Sequence, residues 1–171
     1  MIHLKTPLSK NDVKTLKAGD QVLISGRIYT ARDQAHARLK DEKNLAINLE
    51  GSVIYYVGPT PEKPGYIIGS SGPTSSYRMD ELAVPLMEKG VVAMIGKGER
   101  SDAFIEAMQK HRAVYFMATG GAGALLASKI KSSRVVMYDD LDAEAVRELE
   151  VEDFPCYVAY DIHGGNLFKH D

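Results

Sequence analysis

The sequence has little cysteine, little net charge and no long apolar run. Its 171 residues include one cysteine, Cys156, which excludes an internal disulfide framework and the several thiolates that an iron–sulfur cluster takes. The 21 basic and 23 acidic residues give a formal net charge of -2, which favours neither nucleic acid nor an anionic membrane as a partner. No apolar run approaches the ~20 residues of a membrane span, and no signal peptide is visible. We therefore expect a cytoplasmic protein.

Strand-like and helix-like segments alternate along the chain. Hydrophobic residues make up 44% of it, enough for one buried core, and we expect a single domain over residues 1–171. We predict strands over residues 21–28, 53–57, 66–68, 91–95, 114–117, 135–138, 155–160 and 166–168. We predict helices from Thr30 onwards and over residues 79–87, 101–110, 122–130 and 142–149. This alternation is typical of an α/β domain with a mainly parallel sheet.

Four of the predicted strand–helix junctions are rich in glycine or hydroxyl side chains. They span residues 29–33, 69–78, 96–101 and 119–123. Ligands of open α/β sheets collect beyond the carboxyl ends of the strands, and backbone N–H groups at such turns bind anions. None of the four matches a phosphate-binding loop or a dinucleotide fingerprint. A tight connection without a ligand is the alternative interpretation of any one of them.

Three of these junctions carry a cation, namely Arg32, Arg78 and Lys97. Thr30 with Asp33 three residues later is typical of a capping box, which would put Arg32 in the first helical turn. A cation there opposes the positive end of the helix dipole, and an anion bound by the arginine would restore the balance. Arginine suits a carboxylate because its fork binds both oxygens. The alternative for each arginine is an ion pair with a nearby acid such as Asp33.

The histidines and Cys156 are weaker candidates. His36 follows Arg32 by one helical turn, on the same face, where most histidines are structural. Asp161 and His163 could form two ligands of a metal, but no third ligand has a suitable spacing. We predict that Cys156 is buried in a strand and inert, so the sequence predicts no metal site in this chain.

Five stretches of the sequence, in this order, resemble those of a known enzyme family. They are residues 26–36 (GRIYTARDQAH), 72–80 (GPTSSYRMD), 95–98 (IGKG), 119–122 (TGGA) and 150–155 (EVEDFP). With them the chain resembles the β subunit, or C-terminal domain, of the class I iron–sulfur hydro-lyases, which are class I fumarase and L(+)-tartrate dehydratase. One glycine turn would carry little information, whereas five stretches in order are specific.

The resemblance implies a fold, a reaction and a partner. The fold would be a swivelling three-layer β/β/α domain. The reaction would be the reversible addition of water to a small dicarboxylate, fumarate to malate or tartrate to oxaloacetate, with fumarate slightly favoured. A [4Fe-4S] cluster would act as the Lewis acid. Its cysteines would belong to the α subunit, in a hetero-oligomer such as α2β2, so this chain would hold no cofactor and would be inactive alone.

The resemblance also assigns roles to residues. Arg32 and Arg78 would clamp the substrate carboxylates, and Asp33 would orient Arg32 or the substrate. Lys97 would be a further contact at the reacting centre, and Thr74 would take the proton from carbon, with help from a neighbouring charge because a hydroxyl is a weak base. The remaining substrate-binding positions would be Gly72, Ser75 and Gly96. Ser75 replaces a threonine that is common in the family, and its hydroxyl is the alternative to that of Thr74.

Two other functions are compatible with the same residues. A stand-alone module that binds or senses a dicarboxylate would keep the arginines but would need neither Thr74 nor a partner. An enzyme acting alone on a phosphorylated metabolite is disfavoured, because the sequence shows no convincing nucleophile–base pair or metal trio.

Overall fold

Seven strands and five α-helices form the regular structure of residues 1–69, 71–118 and 123–169, which the computed structural model describes. The strands are β1 (Ile2–Lys5), β2 (Gln21–Thr30), β3 (Val53–Tyr55), β4 (Ala93–Gly96), β5 (Val114–Ala118), β6 (Ile130–Met137) and β7 (Val146–Tyr160). The helices are α1 (Lys10–Thr15), α2 (Asp33–Asp41), α3 (Asp80–Glu88), α4 (Asp102–Lys110) and α5 (Gly123–Ala127). Two 3-10 turns lie at Tyr77–Met79 and Asp139–Glu144. Within the described ranges, no helix is long and apolar enough to cross a membrane.

The sheet is mostly parallel, as predicted, and one long antiparallel strand completes it. Strands β1 to β5 pair in parallel in the order β1-β2-β3-β4-β5. The 15-residue strand β7 runs antiparallel to β2, β5 and β6. Because β7 pairs with both β2 and β5, the strands β2, β3, β4, β5 and β7 form a closed ring of pairings.

Both faces of the sheet are buried. Along β3, the side chains of Val53 and Tyr55 enter one hydrophobic cluster and that of Ile54 enters the other. This two-residue alternation is the geometry of an extended strand. Leu39 of α2 and Leu86 of α3 cover the second cluster, together with side chains of α4. Helices α2, α3 and α4 follow β2, β3 and β4 in the chain, so the loops after these strands lead into the helices of this face.

The start of α2 differs from the capping box that the sequence predicts. Thr30 is the last residue of β2, and α2 begins at Asp33 with Arg32 as its N-cap residue and no side-chain cap bond. The Thr30 hydroxyl donates to the Ala145 carbonyl and accepts the Arg147 N–H at 3.0 Å. The neighbouring strand therefore occupies the hydroxyl, and Arg32 precedes the first helical turn rather than lying inside it.

Other predicted elements are confirmed or corrected. Ser101 caps α4 by accepting the Phe104 N–H at 3.2 Å, and Gly90 follows α3 with a φ of +111°. The helix predicted over 142–149 is wrong, because β7 begins at Val146 after a turn in which Asp142 has a φ of 52°. The strand predicted over 66–68 is also wrong, and residues 166–168 form only a bridge from Asn166 to β7.

The region after β5 is described in part. The predicted helix over 122–130 is shorter in the structure, since α5 spans Gly123–Ala127 and Ile130 already begins β6. The glycine-rich junction at 119–122, which carries one of the five family-like stretches, lies outside the described residues, as does Ser70 in the junction at 69–78.

Candidate functional site

The carboxyl ends of β2, β3 and β4 lie side by side and carry half of the predicted site residues. Arg32 and Asp33 follow the end of β2 directly. Gly96 is the last residue of β4, and Lys97 follows it. Neighbouring parallel strands present their carboxyl ends at one edge, so these residues share that edge of the sheet.

A segment spanning residues 74–76 crosses this edge and pairs with it. The Thr74 N–H donates to the Tyr56 carbonyl at 2.9 Å, and the Ser76 N–H donates to the Lys97 carbonyl at 3.0 Å. Ser75 and Lys97 form a parallel bridge. The segment therefore extends the sheet beyond its named strands and brings Thr74 and Ser75 beside Lys97.

The Thr74 hydroxyl has a defined direction. It donates to the Tyr56 carbonyl at 3.2 Å, and the residue is half-buried. Because the hydrogen points to the carbonyl, the oxygen lone pairs point away from that carbonyl. Ser75 and Lys97, in contrast, are exposed.

Asp33 connects the two predicted carboxylate-binding arginines. Its Oδ2 accepts a hydrogen bond from Arg78 Nη2 at 2.8 Å, and its Oδ1 lies 3.9 Å from Arg32 Nε. Arg32 Nε and Asp33 Oδ1 are both buried and have no hydrogen-bond partner among the described residues. The Arg78 side chain is 49% exposed. The ion pair with Asp33, which the sequence offers as the alternative to a bound anion, is thus present for Arg78. It orients the half-exposed guanidinium of that residue.

Close packing requires a glycine at position 96 and leaves little room for a side chain at position 58. A Cβ at Gly96 would lie 1.9 Å from Ser76 Oγ, so the crossing segment could not approach β4. A Cβ at Gly58 would lie 3.2 Å from Arg32 Cδ, because the arginine side chain passes over that glycine. Gly72 differs, since a Cβ there would make an ordinary contact of 3.6 Å with Gly123 Cα.

A buried ion pair lies below the site, and the sequence reasoning missed it. Arg100 Nε donates to Asp80 Oδ1 at 2.5 Å, and the arginine side chain is 0% exposed. The guanidinium carbon lies 3.5 Å from the centre of the Phe104 ring, a cation–π contact. Asp80 Oδ2 also accepts the Ser101 N–H at 2.8 Å. The pair joins the start of α3 to the loop after β4. The sequence feature that could have predicted it is the position of Asp80 at the end of the family-like stretch 72–80.

His36 is structural. It is 1% exposed, and its Nδ1 donates to the Arg32 carbonyl at 2.7 Å. Burial is the main cause that lowers the pKa of His36 to about 4, and the nearby Arg100 charge lowers it further. The imidazole is therefore neutral near pH 7 and supports the backbone at Arg32 from below.

The other candidate ligands have structural roles too. Asp161 accepts backbone N–H groups of Ala18, His163 and Gly165, each at 2.8 Å. Cys156 is buried in β7, and burial raises the pKa of its thiol. In the described part of the chain, no three His, Cys, Asp or Glu side chains are grouped so that they could hold a metal ion.

Two surface cavities flank the site. One, of about 610 Å³, lies between the loop at 60–69 and α5, and another, of about 680 Å³, runs along α3 and the start of α4 beside Arg78. Thr74 and Lys97 line neither of them. Arg78 lines the second cavity, and the exposed Ser75 and Lys97 lie on the protein surface.

Comparison with known proteins gives one family. The family model described as Fumarase C-terminus matches residues 1–171. A provisionally named L(+)-tartrate dehydratase subunit beta of Methanocaldococcus jannaschii is 39% identical, over 95% of this chain and 88% of that protein. The aerobic class I fumarate hydratase of Escherichia coli K12 is 38% identical over 99% of this chain, and fumarate hydratase 2 of Leishmania major is 35% identical over 98%. The chain spans only 31% of the length of each of these two fumarate hydratases.

Proposed function

This chain belongs to the fumarase C-terminus family, and we propose that it is the β subunit of a hydro-lyase acting on a small dicarboxylate. The reaction would interconvert fumarate and malate, or tartrate and oxaloacetate, and would require an α subunit. The observation that carries the proposal is the common sheet edge at which two arginines, a half-buried threonine and an exposed lysine meet. The relatives are named as enzymes of these two activities.

We propose that residues 1–171 form one domain of the swivelling three-layer β/β/α type. Two separate hydrophobic clusters on the two faces of the sheet support this layering. Helices α2, α3 and α4 contribute to one cluster, and most buried side chains of β7 join those of β1, α1 and α5 in the other. The cytoplasmic location stays a prediction.

In this proposal Arg32 and Arg78 bind the substrate carboxylates. A carboxylate accepts two parallel hydrogen bonds from a guanidinium, so a pair of arginines can hold both ends of a dicarboxylate. Asp33 keeps the Arg78 guanidinium oriented while the site is empty. The incoming carboxylate would join or displace Asp33, and the 49% exposure of Arg78 leaves room for it. Gly72, Ser75 and Gly96 would line the substrate.

Thr74 would accept the proton that leaves carbon during dehydration. Its hydroxyl hydrogen is directed to the Tyr56 carbonyl, so its lone pairs are free to face the substrate. A carbonyl does not take up a proton, so the hydrogen of Thr74 would have to pass to a base on the partner subunit, and the positive charge of Lys97 or Arg78 would stabilise the developing alkoxide. The fixed direction of Thr74 favours it over Ser75, which is exposed.

The iron–sulfur cluster of the family does not fit the residues of this chain. The single cysteine is buried in β7 with a raised thiol pKa, whereas a cluster needs several thiolates. We therefore assign the [4Fe-4S] cluster, which supplies Lewis-acid chemistry in this family, to the α subunit of an assembly such as α2β2. The open surface around Lys97 supports a second chain that covers the substrate.

The test is to produce this chain anaerobically together with the hydro-lyase α subunit of the same genome. Three reactions would be followed for the pair and for each chain alone. They are the gain of fumarate absorbance with malate, its loss with fumarate, and the formation of oxaloacetate from tartrate. We expect activity only in the pair, with loss on exposure to air. The substrate that turns over identifies the enzyme.

Other outcomes would replace the proposal. A stable pair with an intact cluster that acts on neither substrate would retain the family and move the search to related hydroxy-diacids. If the chain forms no pair but binds dicarboxylates alone by calorimetry, with affinity lost in Arg78→Ala, a binding or sensing module is the better function.

A further inference from the structure

The segment that carries Thr74 and Arg78 is held at one buried residue between them. Ser76 is 0% exposed and lies two residues from each. Its N–H donates to the Lys97 carbonyl at 3.0 Å, and its Oγ accepts the Lys97 N–H at 3.0 Å. Ser76 therefore binds both polar backbone groups of Lys97.

A second hydroxyl completes this contact. Tyr115 of β5 is fully buried, and its Oη lies 2.8 Å from Ser76 Oγ and 2.9 Å from the Gly98 carbonyl. Burial raises the pKa of Tyr115, so the hydroxyl keeps its hydrogen. The ring is fixed by stacking on Tyr160, with ring centres 5.4 Å apart.

Counting hydrogens gives these bonds a direction. The Gly98 carbonyl only accepts, and Tyr115 has one hydrogen to donate. All groups are satisfied when Tyr115 donates to Gly98, Ser76 donates to Tyr115, and the Lys97 N–H donates to Ser76. The result is a chain of neutral hydrogen bonds that starts and ends on the loop of Lys97. Inside a protein such a chain is costly to interrupt, since a buried donor or acceptor is left unpaired.

The geometry points to Ser76 and Tyr115 as positioning residues of the active site. They fix the loop of Lys97 relative to the segment of Thr74 and Arg78, and they touch no substrate. The absence of a side chain at Gly96 is part of the same device, because a Cβ there would lie 1.9 Å from Ser76 Oγ. This inference rests on the proposed function, since the spacing of Lys97 and Thr74 matters only if both act on one substrate.

The experiment compares Tyr115→Phe, Ser76→Ala and the double variant in the complex with the α subunit. Ile24→Val is the control, because Ile24 is fully buried in β2, distant in the strand from the end that carries Arg32. Loss of one buried hydrogen bond predicts that kcat falls roughly tenfold for each single variant. KM should change less than about threefold, because the arginines are untouched. The double variant should fall no further than the worse single variant, since both interrupt one chain of bonds.

A second readout does not depend on activity. Amide hydrogen exchange of Lys97, resolved by NMR in the chain of residues 1–171, should accelerate in both single variants and stay unchanged in Ile24→Val. Unchanged exchange, or a kcat loss no larger than that of the control at equal melting temperature, would overturn the positioning role. Independent, multiplying losses in the double variant would also overturn it. An inactive wild-type pair would instead refute the proposed function. The exchange of Lys97 does not depend on activity, so it tests the positioning role separately.

Discussion

Two arginine–carboxylate pairs meet at the same turn of the chain and differ in their exposure to water. Arg100 and Asp80 have side chains that are 0% and 11% exposed, and Arg78 and Asp33 have side chains that are 49% and 29% exposed. Arg78 and Asp80 are only two residues apart. The buried pair is enclosed by aromatic rings and the backbone N–H of Ser101, whereas the open pair lies at the edge that carries Thr74 and Lys97.

The difference in exposure suits the buried pair to a structural role and the exposed pair to binding a ligand. A buried charge whose partner is removed stays uncompensated, so the Arg100–Asp80 pair must remain intact for the fold. An ion pair in contact with water is weak and exchanges its partner at little cost. In the proposed function, Arg78 would therefore pass from Asp33 to a substrate carboxylate, while Arg100 holds the start of α3 in place.

Removing the carboxylate of the buried pair should have the largest effect. Asp80→Ala should lower the free energy of unfolding by about 3–5 kcal/mol, because Arg100 would remain buried and unpaired. Chemical denaturation of the isolated chain measures this. Asp33→Ala is the matched control and should cost less than ~1 kcal/mol. Equal losses in the two variants would remove the distinction between the pairs.

Arg78→Ala should affect turnover rather than stability. The loss of a charge-assisted bond to the substrate predicts a fall in kcat/KM of the reconstituted enzyme equivalent to roughly 1.5–3 kcal/mol. Arg134, whose side chain is 72% exposed in a pair with Glu148, provides the control variant Arg134→Ala. If both substitutions leave kcat/KM unchanged, Arg78 does not bind substrate.

The support below Arg32 should respond to pH. The pKa of His36 is lowered by burial to about 4, so the unfolded chain binds a proton that the folded chain excludes. The His36 contribution is fully present above the unfolded pKa of ~6.5 and is lost as the pH falls towards 4. Between pH 7 and pH 5 the free energy of unfolding should drop by about 2 kcal/mol from this group. His36→Gln should lack this part of the slope, and an identical slope would contradict it.

The sequence was sufficient for the residues at the sheet edge. The five family-like stretches, together with the rule that ligands lie beyond the carboxyl ends of parallel strands, predict Arg32, Thr74, Arg78 and Lys97 as site residues. The approximate positions of strands β2 to β5 and the mainly parallel sheet also followed from local patterns, although a strand was wrongly predicted at 66–68 between β3 and β4.

Long-range contacts explain what local patterns missed. Arg100 follows Gly-Lys-Gly-Glu and looks like a solvated turn residue, but Tyr56, Asp80 and Tyr115, all distant in sequence, bury it together with the nearby Phe104. The segment 146–149 is as charged as a surface helix, but pairing with β2 and β6 on both sides makes it a strand. Tertiary pairing of this kind overrides local propensity.

The smallest effect gives the most direct comparison of the two pairs. A double-mutant cycle of Arg78→Ala and Asp33→Ala should give a coupling free energy of about 0.2–1 kcal/mol, as expected for an ion pair in contact with water. High salt should reduce it further, because exposed charges are screened. A saturating dicarboxylate should also reduce it in the complex, because the ligand then competes with Asp33 for Arg78. The coupling free energy could instead equal the loss of unfolding free energy in Asp80→Ala and not respond to salt or ligand. Arg78–Asp33 would then be a second structural pair, and Arg78 would not bind the substrate.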